Sequence, residues 1–500
     1  MSEVSSHLPV LQVILPLFGA LITAFMRRGS SAWSVTLIVS WALPVMAANM
    51  LWQVMTSDPI ISYHMGGWAP PFGIEYRVDK LGAFILFVVS LMGAVTLPFA
   101  RRSVEHEVAK HNQAWYYTMY LMCLAGLLGI TITGDAFNAF VFLEISSLAT
   151  YVLIAMGPHR RSLLAAYQYL IMGTIGASLY VIGIGGLYLA TGSLNFADIS
   201  TRLGEASGDQ MRTILMSMAF VVTGVSLKLA LFPLHVWLPN AYAYAPSFAT
   251  SFLAGTATKV AICLLLRLLF TVYGAAIAFE TLPVKEVFLV LSVAAMFVAS
   301  FAAVFEQNVK RMLAYSSVAQ VGYITLGIAL ANQAGLTGSM AHIFNHAIMK
   351  TALFLALGAV AYQAGVMRLR DLSGIGRRMP LTMAAFVIAG LGLMGVPGTA
   401  GFISKWYLAV GAIDAGMTPL VFLIVASSLI AVVYIGRVVE VAYFREPSTA
   451  VSEAKDPPWS MLAPLLVLAV ATIYLGIDTR LTAGVASSVA EALLGGLHCW

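Results

Sequence analysis

Four ionisable side chains stand isolated in long apolar stretches of this 500-residue sequence: Glu144, Lys228, Lys259 and Lys405. Glu144 is the only carboxylate between Asp135 and Arg160, and Lys228 is the only charge between Arg212 and Lys259. A charge near the centre of a bilayer costs at least about 2.5–3.5 kcal/mol, so such a group is paired, faces a wet cavity, or both. Burial disfavours the charged form of each, which brings lysine and glutamate within reach of proton exchange. A Glu and a Lys placed close together bias one another's protonation, so moving one partner changes the proton affinity of the other. The alternative is a set of static ion pairs stapling helices together. Four such residues on four separate predicted helices, two of them interrupted, argue instead for a path along which protons move.

The run His342-Ile-Phe-Asn-His346-Ala-Ile-Met-Lys350 adds three titratable groups at i, i+4 and i+8, stacked on one helix face. Histidine exchanges protons near neutral pH and joins lysine sites into a wire, although packing histidines would look the same. His-x-x-x-His also fits two metal ligands, but the Glu of a zinc-protease motif is absent and Lys350 would repel the ion, so no metal is expected. His235, beside Pro233, divides between relay and a structural hydrogen bond to an opened carbonyl. Tyr315, Ser316, Ser317 and Gln320 form a polar stripe that reads chiefly as helix-to-helix glue, and Asp79 as an anchor or cap at a membrane boundary. Cys123, Cys263 and Cys499 lack metal-ligand spacing and form no disulfide framework. No nucleotide-binding loop and no haem or iron–sulfur ligand set is visible, so no cofactor is expected.

Residues so placed require membrane-spanning elements. The chain is 60% hydrophobic and 10% charged, with a mean hydropathy of +0.89, where a soluble domain carries about 25% charged residues. A span needs roughly 20 apolar residues, and fourteen candidates are centred near Leu17, Leu43, Val89, Leu124, Ser146, Ala177, Val225, Thr256, Ala295, Ser317, Lys350, Leu393, Leu429 and Val467. The connections around 57–80, 190–211, 363–380 and 445–459 read as loops, and the whole chain, 1–500, as one transmembrane domain. The segment 8–25 has no basic region before it and no clear cleavage site after it, so it reads as a retained helix. With the first loop taken as cytoplasmic, Lys and Arg divide fifteen against six between the two faces, which puts both termini outside. The net charge of +5 is thereby a topology signal, and nucleic acid drops out as a partner.

Two predicted helices, the seventh and the twelfth, carry breakers: Ser226-Leu-Lys-Leu-Ala-Leu-Phe-Pro233 and Gly390-Leu-Gly-Leu-Met-Gly-Val-Pro397-Gly-Thr-Ala-Gly401. Proline frees a carbonyl inside a helix, so the ladder opens where Pro sits. Discontinuous helices five apart, each with a buried Lys, fit an inverted-repeat transporter better than two incidental kinks.

At these residues the sequence resembles the proton-translocating, antiporter-like membrane subunits of respiratory complex I, membrane-bound hydrogenases and Mrp-type multisubunit Na+/H+ antiporters. The likeness runs through Gly66-Gly-Trp-Ala-Pro-Pro-Phe-Gly-Ile74, Gly134-Asp-Ala-Phe-Asn-Ala-Phe-Val-Phe-Leu-Glu144, Phe232-Pro-Leu-His-Val-Trp-Leu-Pro239, Met312-Leu-Ala-Tyr-Ser-Ser-Val-Ala-Gln320, the His342 to Lys350 run and Gly401-Phe-Ile-Ser-Lys405. The resemblance implies an all-α polytopic membrane protein of about fourteen helices with two inverted five-helix repeats, helices four to eight (115–273) and nine to thirteen (285–443), helices seven and twelve being broken. It further implies that Glu144 and Lys228 form the ion pair of the first half-channel, that Lys259 links the halves, that His342, His346 and Lys350 continue the polar axis, and that Lys405 is the exit residue. The segment before the third helix and the short C-terminus look most like the D-type subunit of the Mrp antiporters. Absence of a long lateral helix after Val485 argues against the largest complex I and Mrp subunits, and Lys at 405 argues against a branch that carries Glu. Asn240 and Tyr242 stand where many relatives carry Asp or His, which puts an inlet role for that loop in doubt.

Three functions compete at this level. The first is a proton-conducting subunit of a multisubunit Na+/H+ antiporter in the cell inner (plasma) membrane, partnered by other membrane subunits and the lipid bilayer. The second is a non-redox, proton-pumping membrane subunit of a complex I-like NADH:quinone oxidoreductase or membrane-bound hydrogenase. The third is a passive scaffold whose charges are merely paired. Sodium passage stays open, but with Glu144 nearly alone no carboxylate-rich cluster offers a hard-oxygen site, which favours protons through this chain.

Overall fold

A computed structural model describes residues 6–206 and 208–495; Cys499 and both chain ends lie outside the described residues. All fourteen expected centres fall in helices. They are α1 (Leu8–Ala24), α2 (Gly29–Thr56), α3 (Lys80–Glu107), α4 (Gln113–Ile132), α5 (Ala136–Ala155), α6 (Arg161–Thr191), α7 (Gly208–Lys228 and Trp237–Tyr244), α8 (Ser247–Leu266, continued by a π-helical turn, Arg267–Val272), α9 (Val284–Ala294 through Ser300–Phe305), α10 (Val309–Leu330), α11 (Gln333–Ala364), α12 (Pro380–Met394 and Ala400–Asp414), α13 (Pro419–Phe444) and α14 (Trp459–Ile477). Among the described residues twelve are long and apolar enough to span alone; the first half of α12 qualifies with Leu369–Arg378, from which it bends by 115°, and α1 is shorter.

Local sequence sets where these helices start. Asp79, Asp135, Asn308 and Asn332 each accept a backbone N–H of the first turn, at 2.7, 2.6, 3.1 and 2.8 Å, and so cap α3, α5, α10 and α11. The expected loops hold more than irregular chain. Ile61–His64 (β1) pairs antiparallel with Glu75–Val78 (β2), so the protein is not wholly α. Phe196–Gly204 forms a short helix that buries Phe196, Ile199 and Leu203. These segments are too short and too polar to carry a spanning signal, but spacing of their few apolar residues lets each cover a helix end.

Packing places α11 at the centre. It touches α3, α8, α10, both halves of α12, α14 and the C-terminal helix Val485–Leu494, and its apolar window is entirely buried. Polar side chains on α11 therefore face protein rather than lipid. The two interrupted helices are α7 and α12. In α7 the ladder opens directly after Lys228, not at Pro233 as expected: Ala230 takes a positive φ of 60°, and the Leu227 carbonyl accepts from both the Ala230 N–H at 3.2 Å and the Trp237 indole at 3.1 Å. Stabilisation of the break thus comes from a tertiary partner, which single-residue propensity does not report. In α12, Gly395 adopts φ +85°, and a Cβ at Gly401 would overlap the Gly392 carbonyl oxygen. Only glycine lets the second half close back onto the first there.

Candidate functional site: a buried polar row

Every ionisable residue singled out within the helices is buried or half-buried, and Lys405, His342 and Lys350 find partners at the α12 break or on α10. Lys405, in the second half of α12, donates to the carbonyls of Leu393 and Met394, both at 3.0 Å, and to Ser428 Oγ on α13 at 2.9 Å. Its ammonium thereby caps the end of the first half of the same helix, where carbonyls lack intrahelical donors and the helix dipole is negative. The same ammonium lies 4.7 Å from the Tyr323 ring centre, and the Tyr323 hydroxyl lies 3.2 Å from Ser428 Oγ.

One residue before Lys405, the Ser404 hydroxyl lies 2.8 Å from His342 Nδ1, and His342 Nε2 lies 2.9 Å from Gln320 Oε1. With an amide oxygen facing it, Nε2 carries the proton and Nδ1 accepts. His342 and His346 are stacked, ring centres 6.0 Å apart and 4° from parallel. Among the described residues neither ring nitrogen of His346 has a hydrogen-bond partner, nor has Asn345 Oδ1. An imidazole carries at least one N–H and exchanges protons near neutral pH. Lys350 donates to the Leu313 carbonyl at 2.8 Å and to Ser316 Oγ. Lys259, fully buried, donates to the Ala254 carbonyl and, at 3.4 Å, to Thr258 Oγ1.

The other end of the row corrects an expectation. Glu144 and Lys228 do not form a direct ion pair: Lys228 donates to Ser147 Oγ at 2.5 Å, and Glu144 joins no ion pair among the described residues. Glu144 Oε1 is buried and has no hydrogen-bond partner among the described residues. The reason is positional. Lys228 ends a half-helix and meets α5 one turn beyond Glu144, where a hydroxyl intervenes. A cavity of about 30 Å³ lies between Ser147, Lys228 and the α8 residues Ala257, Val260 and Ala261, room for a water molecule or two.

Among the described residues no group of three His, Cys, Asp or Glu side chains is set to hold a metal ion. Residues 133–431, more than half the chain, match the family described as NADH:quinone oxidoreductase/Mrp antiporter, TM. The chain belongs to that family. Within it, the N subunit of the NADH-quinone oxidoreductase of Desulforudis audaxviator is 40% identical over 487 residues, covering 95% of this chain and 96% of that protein. The D subunit of the Na(+)/H(+) antiporter of Bacillus subtilis is 27% identical, covering 97% of each. A chain in the structure of the Mrp complex from Dietzia sp. superposes with a TM-score of 0.89 at 25% identity, covering 98% of both chains. The helical membrane architecture and the antiporter-like family, both expected from the motifs, are thus borne out.

Several residues of the row carry no clear signal in the sequence. Ser316 and Gln320 read there as glue, yet they contact Lys350 and His342, while Ser317 donates to Leu313 O at 3.1 Å in its own helix. Ser147, Ser404 and Ser428 were missed altogether. For two of them the one available signal is proximity to a singled-out charge: Ser147 follows Glu144 by three residues and Ser404 precedes Lys405; Ser428 has none. His235 stacks on Phe232 at 5.3 Å and meets Tyr315 edge-on at 6.3 Å, and its buried Nδ1 has no hydrogen-bond partner among the described residues. Asn240 donates to Gln168 Oε1 at 2.9 Å, and Tyr242 is buried. Asp79 caps α3 and also receives both guanidinium nitrogens of Arg267 at 2.9 and 3.0 Å. That bidentate pair ties α3 to the end of α8.

Proposed function

We propose that this chain is the proton-conducting membrane subunit of a multisubunit Na+/H+ antiporter, and that Glu144, Lys228, Lys259, His342, His346, Lys350 and Lys405 carry the protons. One observation supports the reading above all others: the buried lysines and His342, on α7, α8, α11 and α12, are held by hydroxyls, an amide and main-chain carbonyls, and among the described residues are not locked by opposite charges. A scaffold of static pairs would show the reverse. Between groups so held, a proton moves when an ammonium or imidazolium gives it to a hydroxyl, water or neighbouring base, and low dielectric makes each site's affinity depend on its neighbour's charge.

Two inverted units, 115–273 and 285–443, organise the path in this reading, with α7 and α12 as their corresponding broken helices. Excess of Lys and Arg on one face supports a cytoplasmic assignment for that face of an inner (plasma) membrane protein, with both termini outside. Likeness to the Dietzia Mrp complex and to the Bacillus antiporter chain supports assembly with other membrane subunits. Lys228→Ala and Glu144→Ala are expected to leave assembly intact and abolish ΔpH-driven exchange in vesicles; unchanged exchange in either variant would sink the relay.

A second reading is favoured by the 40% identity to an oxidoreductase chain: the same path serving a complex I-like oxidoreductase or a membrane-bound hydrogenase. Purification of the assembled complex separates the two, because the second requires metal-cluster subunits in the preparation. Sodium occupancy measured in that same complex decides whether Na+ passes through this chain or a neighbour.

A further inference from the structure

Outside the row, a cavity of about 210 Å³ opens on the Lys/Arg-rich face. Its wall includes His106 and Glu107 at the end of α3, His159 between α5 and α6, Tyr244 at the end of α7 and Lys310 at the start of α10. Lys310 is only 5% exposed, although its place in the sequence is that of a topology-setting loop residue. Its ammonium donates to Ser247 Oγ at 2.9 Å. The Ser247 backbone N–H donates to Glu107 Oε2 at 2.7 Å, and Ser103 Oγ donates to Glu107 Oε1 at 2.9 Å. A carboxylate, a buried ammonium and a serine hydroxyl therefore meet at the first residue of α8.

From that point a polar seam runs inward. Ser247, Ser251, Gly255 and Lys259 follow one another at four-residue spacing along α8, a rise of about 18 Å at 1.5 Å per residue. Ser251 Oγ donates to the Ser247 carbonyl at 2.9 Å, and Thr351 Oγ1, on α11 beside Lys350, reaches the Ser251 carbonyl at 3.5 Å. Gly255 leaves the space that the Thr351 hydroxyl occupies, since a Cβ there would overlap that oxygen. Ser247, Ser251 and Thr351 are all fully buried, and each hydroxyl that donates to a carbonyl keeps lone pairs able to accept a proton. The seam ends where α8 carries Lys259 and α11 carries Lys350.

We propose that this cavity and seam form an inlet: the solvent-exposed His106 and His159 collect protons, Glu107 receives them, Lys310 gives its own proton to Ser247 and is recharged from Glu107, and Ser247, Ser251 and Thr351, bridged by water where they meet carbonyls, pass protons on to Lys259 and Lys350 as those lysines release theirs. The proposal rests on the proton-conducting function and adds a second point of access, at the junction of the two proposed repeats. Each step is a proton transfer between oxygen or nitrogen lone pairs, with no bond other than O–H or N–H made or broken.

The competing explanation is that Glu107 only caps α8 and Lys310 only pins α10 to it. In the assembled complex in vesicles, Glu107→Ala is expected to slow exchange by about a hundredfold, the low end of what a positioned proton-transfer group contributes. Azide or formate, small weak acids that the cavity admits, is expected to restore much of that rate; a lost cap would not respond to them. Where Glu107→Ala fails to assemble, Thr351→Val carries the test, slowing exchange while Thr351→Ser restores it. Lys228→Ala is measured alongside. If Lys228→Ala is inactive while Glu107→Ala and Thr351→Val exchange at the normal rate, or if azide and formate leave the slowed Glu107→Ala unchanged, the inlet is overturned and the row stands. If Lys228→Ala itself exchanges normally, the underlying function fails first.

Discussion

Serine hydroxyls are the smallest parts of the proposed path and the most open to test. Lys228 reaches Ser147 rather than Glu144, so the hydroxyl is a partner for the ammonium and, in the proposed path, a stepping stone towards the carboxylate. Removing one partner of a buried hydrogen bond leaves the other unsatisfied at a cost of about 1–3 kcal/mol. Ser147→Ala is therefore expected to slow vesicle exchange by about tenfold or more, the rate equivalent of about 1.4 kcal/mol, and Ser147→Thr to recover it. Equal rates in Ser147→Ala and the unaltered protein would mean that the lysine finds Glu144 without help. Charged members of the row were legible in the sequence because an isolated Lys or Glu in an apolar run has no cheap explanation. Ser147, Ser404 and Gln320 were not, because serine and glutamine are tolerated anywhere in a helix bundle and acquire a role only through contacts between distant helices. Lys310 misled for the opposite reason: lysine at a helix end normally reports topology.

Helices carry the row by how they end and by what ties them together. The fourteen segments were legible because length and hydropathy are properties of continuous sequence. The place where α7 opens was not, since Ala230 and the Trp237 indole, not Pro233 alone, set it. The hairpin of β1 and β2 was missed because two four-residue strands in a polar connection give no periodic signal. One tie between helices can be tested directly. Asp79 and Arg267 form a bidentate pair, Arg267 being 2% exposed, that joins the start of α3 to the π-helical end of α8. Breaking such a pair from one side leaves an uncompensated buried charge and costs about 3–5 kcal/mol, whereas replacing both partners with apolar groups of similar size is far milder. Asp79→Leu is expected to lower the thermal stability of the detergent-extracted protein strongly, and the Asp79→Leu, Arg267→Met double variant to recover most of the loss. A double variant as unstable as the single one would show that the pair matters for some reason other than charge compensation.

At the scale of the whole molecule, the proposed orientation makes opposite predictions for the two faces. Glu446 and Asp58 are both exposed, the first in the connection after α13 and the second in that after α2. In a Cys499→Ser background, Glu446→Cys is expected to react with a membrane-impermeant maleimide only from the cytoplasmic side, and Asp58→Cys only from the outside; the reverse pattern would invert the topology. Cys123 and Cys263 are buried and free, so they leave the labelling clean. In the proposed path Lys405 would work as part of a machine. Its ammonium holds two carbonyls of one half of α12 from the other half, so loss of its proton weakens the clasp between the halves at the moment the charge departs. Affinity for the proton and tension across the break are then one quantity read two ways. A neighbouring chain that pulls on either half of α12 alters how tightly Lys405 keeps its proton, and a proton arriving at Lys405 pulls back. Mechanical load and chemical potential can be exchanged there with no moving part larger than half a helix.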